Sequence, residues 1–389
     1  MKTGCSPSAK LKAAERVTLG DSDLSISACT LGTMTWGEQN TEAEGHEQLN
    51  WAFDHGINIL DSAEMYPIPT KADTQGRTDR IIASWMKGRK RDDIVLASKV
   101  SGFSERTTWV RDPPKTVRVN REQIVESVER SLQRLGTDHI DLLQIHWPDR
   151  YVPLFGATSY DVKLERKDSV PFEEQLMGLE EVVRSGKSHE GLCRGGGGVT
   201  REPFRSGHRF RVIAHSSRDL LVSYGVSEFV RASKATGLPK IVSIQNSYSL
   251  IVRGAYETDL AETCSQHNVG LLAYSPLAGG SLTGKYNHGV DHPKARLNLF
   301  AGYMARYKLS LVREAVSAYE EVAAKYEMTP TQLALAWCKS RWFVTSTIIG
   351  ATSLAQLKQN VEAFDTNLSQ AAIDDVNTVF KRYRDPSIQ

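Results

Sequence analysis

The sequence predicts an α/β protein, a (β/α)8 TIM barrel, on three observations. Short, near-continuous apolar runs recur along the chain, with segments of helical periodicity between them. Strands covered by helices on both faces read this way, whereas half-exposed strands alternate. Seven such runs are clear and their spacing leaves one gap, which makes eight. The 389 residues also fit one elaborated barrel, a fold that runs from ~200 to more than 400 residues. An open doubly wound sheet is the alternative arrangement of the same elements.

Taken in order, residues 1–16 read as a flexible N-terminal extension and residues 17–389 as the barrel domain. In 17–28 (VTLGDSDLSISA) apolar alternation surrounds a Gly-Asp turn signal, which predicts a hairpin closing the bottom of the barrel. Strands are expected at 28–34, 57–63, 93–100, 139–147, 240–249, 269–277 and 344–352. The segment 42–56 sets Leu49, Ala52 and Phe53 on one stripe and stops at Gly56. The segment 120–136 opens on Asn120 as an N-cap, repeats Ile124, Val128 and Leu132 four residues apart, and stops at Gly136. Residues 310–327 and 353–364 are helical in the same manner, and 361–383 adds helices outside the barrel. Strand, helix, strand, repeated, implies a parallel sheet with right-handed crossovers.

Composition excludes several classes of function. Forty-eight Lys+Arg against 46 Asp+Glu leave a net charge of +2, which gives no bulk attraction to nucleic acid. The five cysteines, Cys5, Cys29, Cys193, Cys264 and Cys338, are odd in number and form no CxxC pair. They read as free thiols in a reducing compartment, with no disulfide framework and no metal site. No run reaches the ~18 apolar residues of a membrane span. No apolar stretch follows the N-terminal lysines, so a secretory signal is not expected. The expected location is the cytoplasm, with a plastid as the alternative. Neither nucleic acid nor membrane is an expected partner.

Barrel chemistry gathers where strands end and βα loops begin. Asp61 closes INILD, and Tyr66 follows five residues later in AEMYP. Lys99 closes IVLASK, and His146 closes LLQIH. A free phenol has a pKa of ~10, too high for easy proton donation at neutral pH. A buried ammonium at Lys99 is expected to lower it, with Asp61 keeping that ammonium charged and aimed. His146 is expected to orient a carbonyl oxygen. Such a relay donates a proton to that oxygen while a hydride reaches its carbon. A single strand-end Asp, Lys, Tyr or His is more often structural than catalytic. Four at successive strand ends form a far more specific pattern.

The stretches LGTMTWGEQNTEAE, GINILDSAEMYP, LGTDHIDLLQIHWPDR, IVSIQNSYSL, LLAYSPLAGGSLTGKY and IIGATSLAQLKQN resemble the aldo-keto reductase family. Within it they are similar to the Tas-like reductases, relatives of the branch that includes the potassium-channel β subunits. The resemblance covers nearly the whole chain except about 188–222. It implies a catalytic tetrad of Asp61, Tyr66, Lys99 and His146, and a substrate pocket shaped by Trp36, Tyr66, His146, Trp147 and the loop 148–160. It also implies NADPH/NADP+ bound without a Rossmann domain, and no GxGxxG follows the first strand. The implied cofactor contacts begin with Gly32, Thr33, Met34 and Asp61. Gln245 matches a carboxamide contact, and Tyr274 the ring that stacks on the nicotinamide. Ser275, Leu277, Gly279, Leu282, Gly284 and Lys285 match the loop over the pyrophosphate. Gly350, Ala351 and Thr352 would meet phosphate at a helix N-terminus, with Gln356 and Asn360 near the adenosine. Many relatives carry Arg where Thr352 stands, and Lys358 is the substitute at hand. The implied activity is NADPH-dependent reduction of an aldehyde or ketone to an alcohol. The rivals are an NADPH-binding regulatory subunit with little turnover, and a catalytically impaired product of a misread gene.

Residues 188–222 depart from that pattern. They hold six Arg, no Lys, three His and six Gly in 35 residues. The GGGG at 195–198 is low-complexity and is not a phosphate loop, because no GK[ST] follows it. A basic RNA-binding arm would need more aromatic residues than Phe204 and Phe210. The sequence GVS at 225–227 lies too close to Gln245 to be the fifth strand, and 223–237 reads as the fifth helix. The fifth strand, with its Ser-Asn pair, is therefore expected to be missing. FRVIA (210–214) is the sole local substitute, and Ser216 and Ser217 are weak stand-ins for the pair. Open edges beside the fourth and sixth strands and impaired activity would follow. A retained intron, a shifted reading frame or a lineage-specific insertion would each produce such a patch.

Overall fold

The computed structural model describes residues 12–153, 159–185, 211–215, 223–290, 292–300 and 302–388. The chain opens with a two-stranded antiparallel hairpin, β1 (Arg16–Thr18) and β2 (Ser25–Ser27). Its turn holds Gly20 at φ +57°, where a Cβ would come within 2.1 Å of the Val242 carbonyl oxygen. A side chain is excluded there both by backbone conformation and by space. The hairpin thereby presses Leu19, Leu24 and Ile26 into the bottom of the barrel, against Ile59, Val95, Leu142 and Leu272. Residues 12–16 correct the expected flexible extension. Ala28 N donates to Glu15 O at 2.9 Å and Cys29 N to Ala13 O at 3.0 Å, so these backbone bonds fasten the segment to the barrel. Ala13 is buried in the core.

Eight parallel strands then close on themselves: β3 (Cys29–Gly32), β4 (Ile59–Asp61), β5 (Val95–Val100), β6 (Leu142–Ile145), β7 (Arg211–His215), β8 (Ser243–Ser247), β9 (Gly270–Tyr274) and β10 (Val344–Ile349). The chain forms a (β/α)8 barrel, with β10 pairing back to β3. The strands are shorter than the apolar runs that announce them, because those runs continue into the loops at both ends.

The fifth barrel strand is present, against the expectation that it is missing, and it is formed at the expected substitute FRVIA (210–214), as β7 over Arg211–His215. β7 pairs with β6 (Leu142↔Arg211 through Ile145↔Ala214) and with β8 (Ile213↔Ser243 through His215↔Gln245). No open edge is left between β6 and β8. The β-branched Val212 and Ile213 supply the strand propensity that this position requires. The remainder of 188–222, Ser216, Ser217 and the glycine run included, lies outside the described residues, as does 154–158 of the expected substrate loop.

Helices ring the sheet. α1 (Glu42–Asp54) starts in a capping box between Thr41 and Glu44. α2 is Arg77–Met86. In α3 (Arg121–Leu135) the Asn120 side chain accepts from Gln123 N, and Gly136 ends the helix at φ +61°. The ring continues with α4 (Phe172–Ser185), α5 (Ser223–Thr236), α6 (Ala261–Gln266), the short α7 (Arg296–Leu299), α8 (Ser310–Lys325), α9 (Pro330–Lys339), α10 (Leu354–Glu362) and α11 (Gln370–Arg382). Among the described residues no helix is long and apolar enough to cross a membrane.

Candidate active site

The C-terminal ends of β4, β5 and β6 deliver Asp61, Lys99 and His146 to one spot, and the loop after β4 brings Tyr66 back over it. Lys99 Nζ is the hub. It donates to Asp61 Oδ2 at 2.6 Å, to the Ser62 carbonyl oxygen at 2.7 Å and to the Tyr66 hydroxyl at 3.3 Å. All three ammonium protons are directed, and the residue is buried. Asp61 Oδ1 accepts from Gln144 Nε2 at 3.1 Å and from Gln245 Nε2 at 2.7 Å. The His146 ring meets the Tyr66 ring edge-on, with centroids 5.8 Å apart.

Two further buried carboxylates hold the loop between Asp61 and Tyr66. Glu64 accepts from Ser101 N at 2.6 Å and from Arg111 Nη1 at 2.8 Å, and Ser127 Oγ also donates to it. Arg111 Nε in turn donates to Gln123 Oε1 at 2.9 Å. On the other side, Asp79 of α2 accepts from Ser62 Oγ at 2.7 Å and from Arg134 Nε of α3 at 2.9 Å. Glu64, Asp79 and Arg111 are all buried, and a buried charge persists only when paired and hydrogen-bonded.

Burial pushes the Tyr66 phenol well above its ordinary value, with Asp61, Tyr303 and Tyr274 adding to the rise and Arg296 opposing it. Burial also pushes the Lys99 ammonium down, against Asp61 and Asp79. The expected lowering of the phenol pKa by Lys99 is thus corrected. Asp61 offsets the ammonium charge at 2.6 Å, and desolvation then decides the direction. Tyr66 keeps its proton across the neutral range. For Glu64, burial alone would raise the pKa, but the Arg111 charge and the hydrogen bonds from Arg111, Ser127 and Ser101 bring it below the ordinary carboxylate value.

A cavity of about 1250 Å³ opens over this spot. Its lining includes Gly32, Thr33, Met34, Asp61, Tyr66, His146, Trp147, Gln245 and Tyr274. Ser275, Leu277, Gly279, Lys285, Gly350, Ala351, Thr352, Gln356 and Asn360 line it as well. Four expected residues do not: Trp36, Leu282, Gly284 and Lys99, the last of which reaches the lining only through its bonds to Asp61 and Tyr66. Trp36 is fully buried between α1 and α2, against Gly45 and near Ile81, so its expected place in the substrate pocket is corrected. Leu282 is packed into the core, and Gly284 has Glu320 beside it. Lys358 is exposed and also lies outside the lining. Among the described lining residues Asp61 is the one carboxylate, whereas Lys285, Lys294, Arg296 and Arg306 are cations. Such a cavity favours an anionic ligand.

The model of the aldo/keto reductase family matches residues 28–193 and 220–381. The chain belongs to this family. Relatives extend over most of its length. It is 37% identical over 367 residues to "Protein tas" of Escherichia coli, covering 94% of this chain and 97% of that one. It is 33% identical over 305 residues to an "Aldo-keto reductase" of Babesia bovis, covering 75% and 98%. It is 28% identical over 352 residues to a "Probable voltage-gated potassium channel subunit beta" of Arabidopsis thaliana, covering 89% and 90%. Membership in the aldo/keto reductase family makes the protein an oxidoreductase by kinship. The family match stops at residue 193 and resumes at 220, so β7 comes from the unmatched stretch.

Sequence reasoning missed Lys294, Arg296, Arg306 and Tyr303, which line the cavity from the loop between β9 and α8. One signal was present: residues 275–309 hold five Lys/Arg and a single acid, Asp291. It also missed Glu64, Asp79, Arg111 and Arg134, for which no spacing rule exists.

Proposed function

We propose that the protein reduces a small aldehyde or ketone with NADPH, Tyr66 giving its proton to the carbonyl oxygen. The observation that carries this reading is the Lys99 hub, bonded to Asp61 and Tyr66, which themselves line a cavity that also carries Lys285, Lys294, Arg296 and Arg306. A dinucleotide fits the donor set. Lys294 and Arg296 would meet its 2′-phosphate, Lys285 and the backbone around Gly279 and Gly280 its pyrophosphate, and Gln245 and Tyr274 the carboxamide and ring of the nicotinamide. At Gly280 (φ +98°) a Cβ would meet Lys285 Nζ at 2.8 Å, so the glycine keeps room beside that ammonium. When bound, the cofactor supplies the hydride for the carbonyl carbon.

The protein's own work is acid catalysis and exclusion of water. Tyr66 holds its proton because burial and Asp61 disfavour the phenolate. It releases that proton when the carbonyl oxygen gains negative charge, and Lys99 then faces the phenolate. His146 borders the same point of the cavity and positions the oxygen. Met34, Met65, Ile68 and Trp147 line the cavity around Tyr66, which suits an apolar carbonyl compound.

The purified chain tests the reading by NADPH fluorescence on binding and by carbonyl-dependent loss of NADPH absorbance. Binding with turnover is the expected result. Binding without turnover would point to a nucleotide-responsive subunit instead, and absence of both would contradict the reading outright.

A further inference from the structure

Lys99 has three bonds, and two of them set the direction of the third. An ammonium is tetrahedral, so bonds to Asp61 Oδ2 and to the Ser62 carbonyl oxygen aim the remaining N–H at Tyr66. Asp61 is the tetrad partner implied by the family. The Ser62 bond depends on whatever holds Ser62. Its backbone N donates to Ala97 O at 2.9 Å, and its hydroxyl donates to Asp79 Oδ1 at 2.7 Å. Asp79 is fully buried, and Arg134 fixes its other oxygen at 2.9 Å. A continuous chain therefore runs from α3 through α2 to the hub: Arg134, Asp79, Ser62, Lys99, Tyr66.

We propose that Asp79 is a positioning residue for proton donation, acting through Ser62 to aim Lys99 at Tyr66 and adding a second anionic charge that keeps Lys99 protonated. The proposal rests on the reading of Tyr66 as proton donor. Asp79 does not itself line the cavity. Besides Arg134, Asp79 holds the hydroxyl of Ser62, the residue whose backbone carbonyl accepts from the central ammonium. The charge also acts in the right direction, because Asp79 raises the pKa of Lys99 against the fall caused by burial.

Other charges face the same groups. Asp61 from β4 and Glu64 from the loop act on Lys99 and on Asp79 respectively. Arg134 from α3 faces Asp79, and Arg111 is held on Glu64. Across the cavity Tyr274, Tyr303 and Arg296 face Tyr66, and His146 lies edge-on to it. Each of these stays in place when Asp79 alone is changed. Removing its negative charge eases proton loss from Lys99, so the alkaline limb of kcat must move to lower pH.

The test is the pH profile of kcat and KM for carbonyl reduction by the full chain, with NADPH affinity measured in parallel. Asp79→Asn should move the alkaline limb down by about one pH unit and leave NADPH affinity and KM unchanged. Ser62→Ala keeps the charge and cuts the link, so it should lower kcat about tenfold without moving the limb. Because Asp79→Asn leaves Arg134 buried without its anion, the double variant Asp79→Asn/Arg134→Gln replaces the ion pair by a neutral one. The same downward shift is expected there. An alkaline limb at the wild-type position in a folded Asp79→Asn or double variant overturns the proposal. If neither folds, Ser62→Ala with wild-type kcat overturns it. Tyr66→Phe, run beside them, separates the two levels. An active Tyr66→Phe defeats the proton-donor reading itself, whereas an inactive one beside an unshifted Asp79→Asn defeats the positioning role alone.

Discussion

The β4–β5 wall and β7 are joined to the same barrel by different means. β5 is buried along its whole length and carries Lys99, and buried ion pairs surround it: Asp61 with Lys99, Glu64 with Arg111, Asp79 with Arg134. β7 joins β6 and β8 by backbone pairing, and it comes from a stretch that the family pattern does not match. Backbone pairing asks only for an extended segment of adequate propensity, so an unrelated run can close a barrel. A proton relay asks for particular atoms within hydrogen-bond reach. The two walls therefore differ sharply in how much change they tolerate.

The largest effect is expected at the hub. Lys99→Met strands Asp61 among buried partners, and breaking a buried pair in this way costs roughly 3–5 kcal/mol. Turnover should vanish and the urea midpoint should fall together. A variant as stable and as active as the parent would show that Asp61 and Lys99 do not depend on each other.

Proline substitution then compares the two walls directly. Ala97 of β5 and Ala214 of β7 each pair with neighbours on both sides. Ala97→Pro should cost about 3 kcal/mol or more, because it breaks the strand that positions Lys99. Ala214→Pro breaks backbone pairing too but touches none of the three buried ion pairs, so it should cost less than Ala97→Pro. Equal losses in urea unfolding would show that β7 is as integral to the fold as β5.

A smaller effect is expected at the cavity rim. Arg296→Ala should weaken NADPH binding about tenfold and NADH binding less, since a charged hydrogen bond to the 2′-phosphate is lost. Equal losses for both nucleotides would place Arg296 away from that phosphate.

The smallest effect concerns acid stability. The folded pKa of Glu64 lies below its ordinary value, so its contribution is full above the ordinary carboxylate range and fades as pH falls through the folded value. Glu64→Gln should lower stability at neutral pH and flatten its fall in that acid window. An unchanged slope would assign the acid limb to other carboxylates.

How much of this was legible in the sequence follows from the same contrast. Asp61, Lys99 and His146 could be read because each ends an apolar run, and in a barrel that end is the mouth. Tyr66 followed from its distance to Asp61. Trp36 misled because an aromatic residue beside the first strand reads equally well as pocket or as core, and helix packing decided for core. Asp79 and Arg134 are 55 residues apart and meet only through the packing of α2 on α3. Lys294, Arg296 and Arg306 lie in the irregular connection between β9 and α8, Arg296 at the start of the short α7, where no period tells which side chains turn inward. β7 was legible only as a weak substitute, because its short β-branched run is flanked by arginine, histidine and glycine, and closure of the barrel makes it the fifth strand.

The central claim is that Tyr66 donates the proton from a site organised by Lys99. Single-turnover reduction of a small aldehyde by Tyr66→Phe, with NADPH prebound, tests it most directly. The ring and the packing stay while the acid is removed, and general acid catalysis is worth ~10²–10⁴-fold. A rate lower by about that factor is expected, with NADPH affinity unchanged. A Tyr66→Phe variant that turns over at the wild-type rate would contradict it.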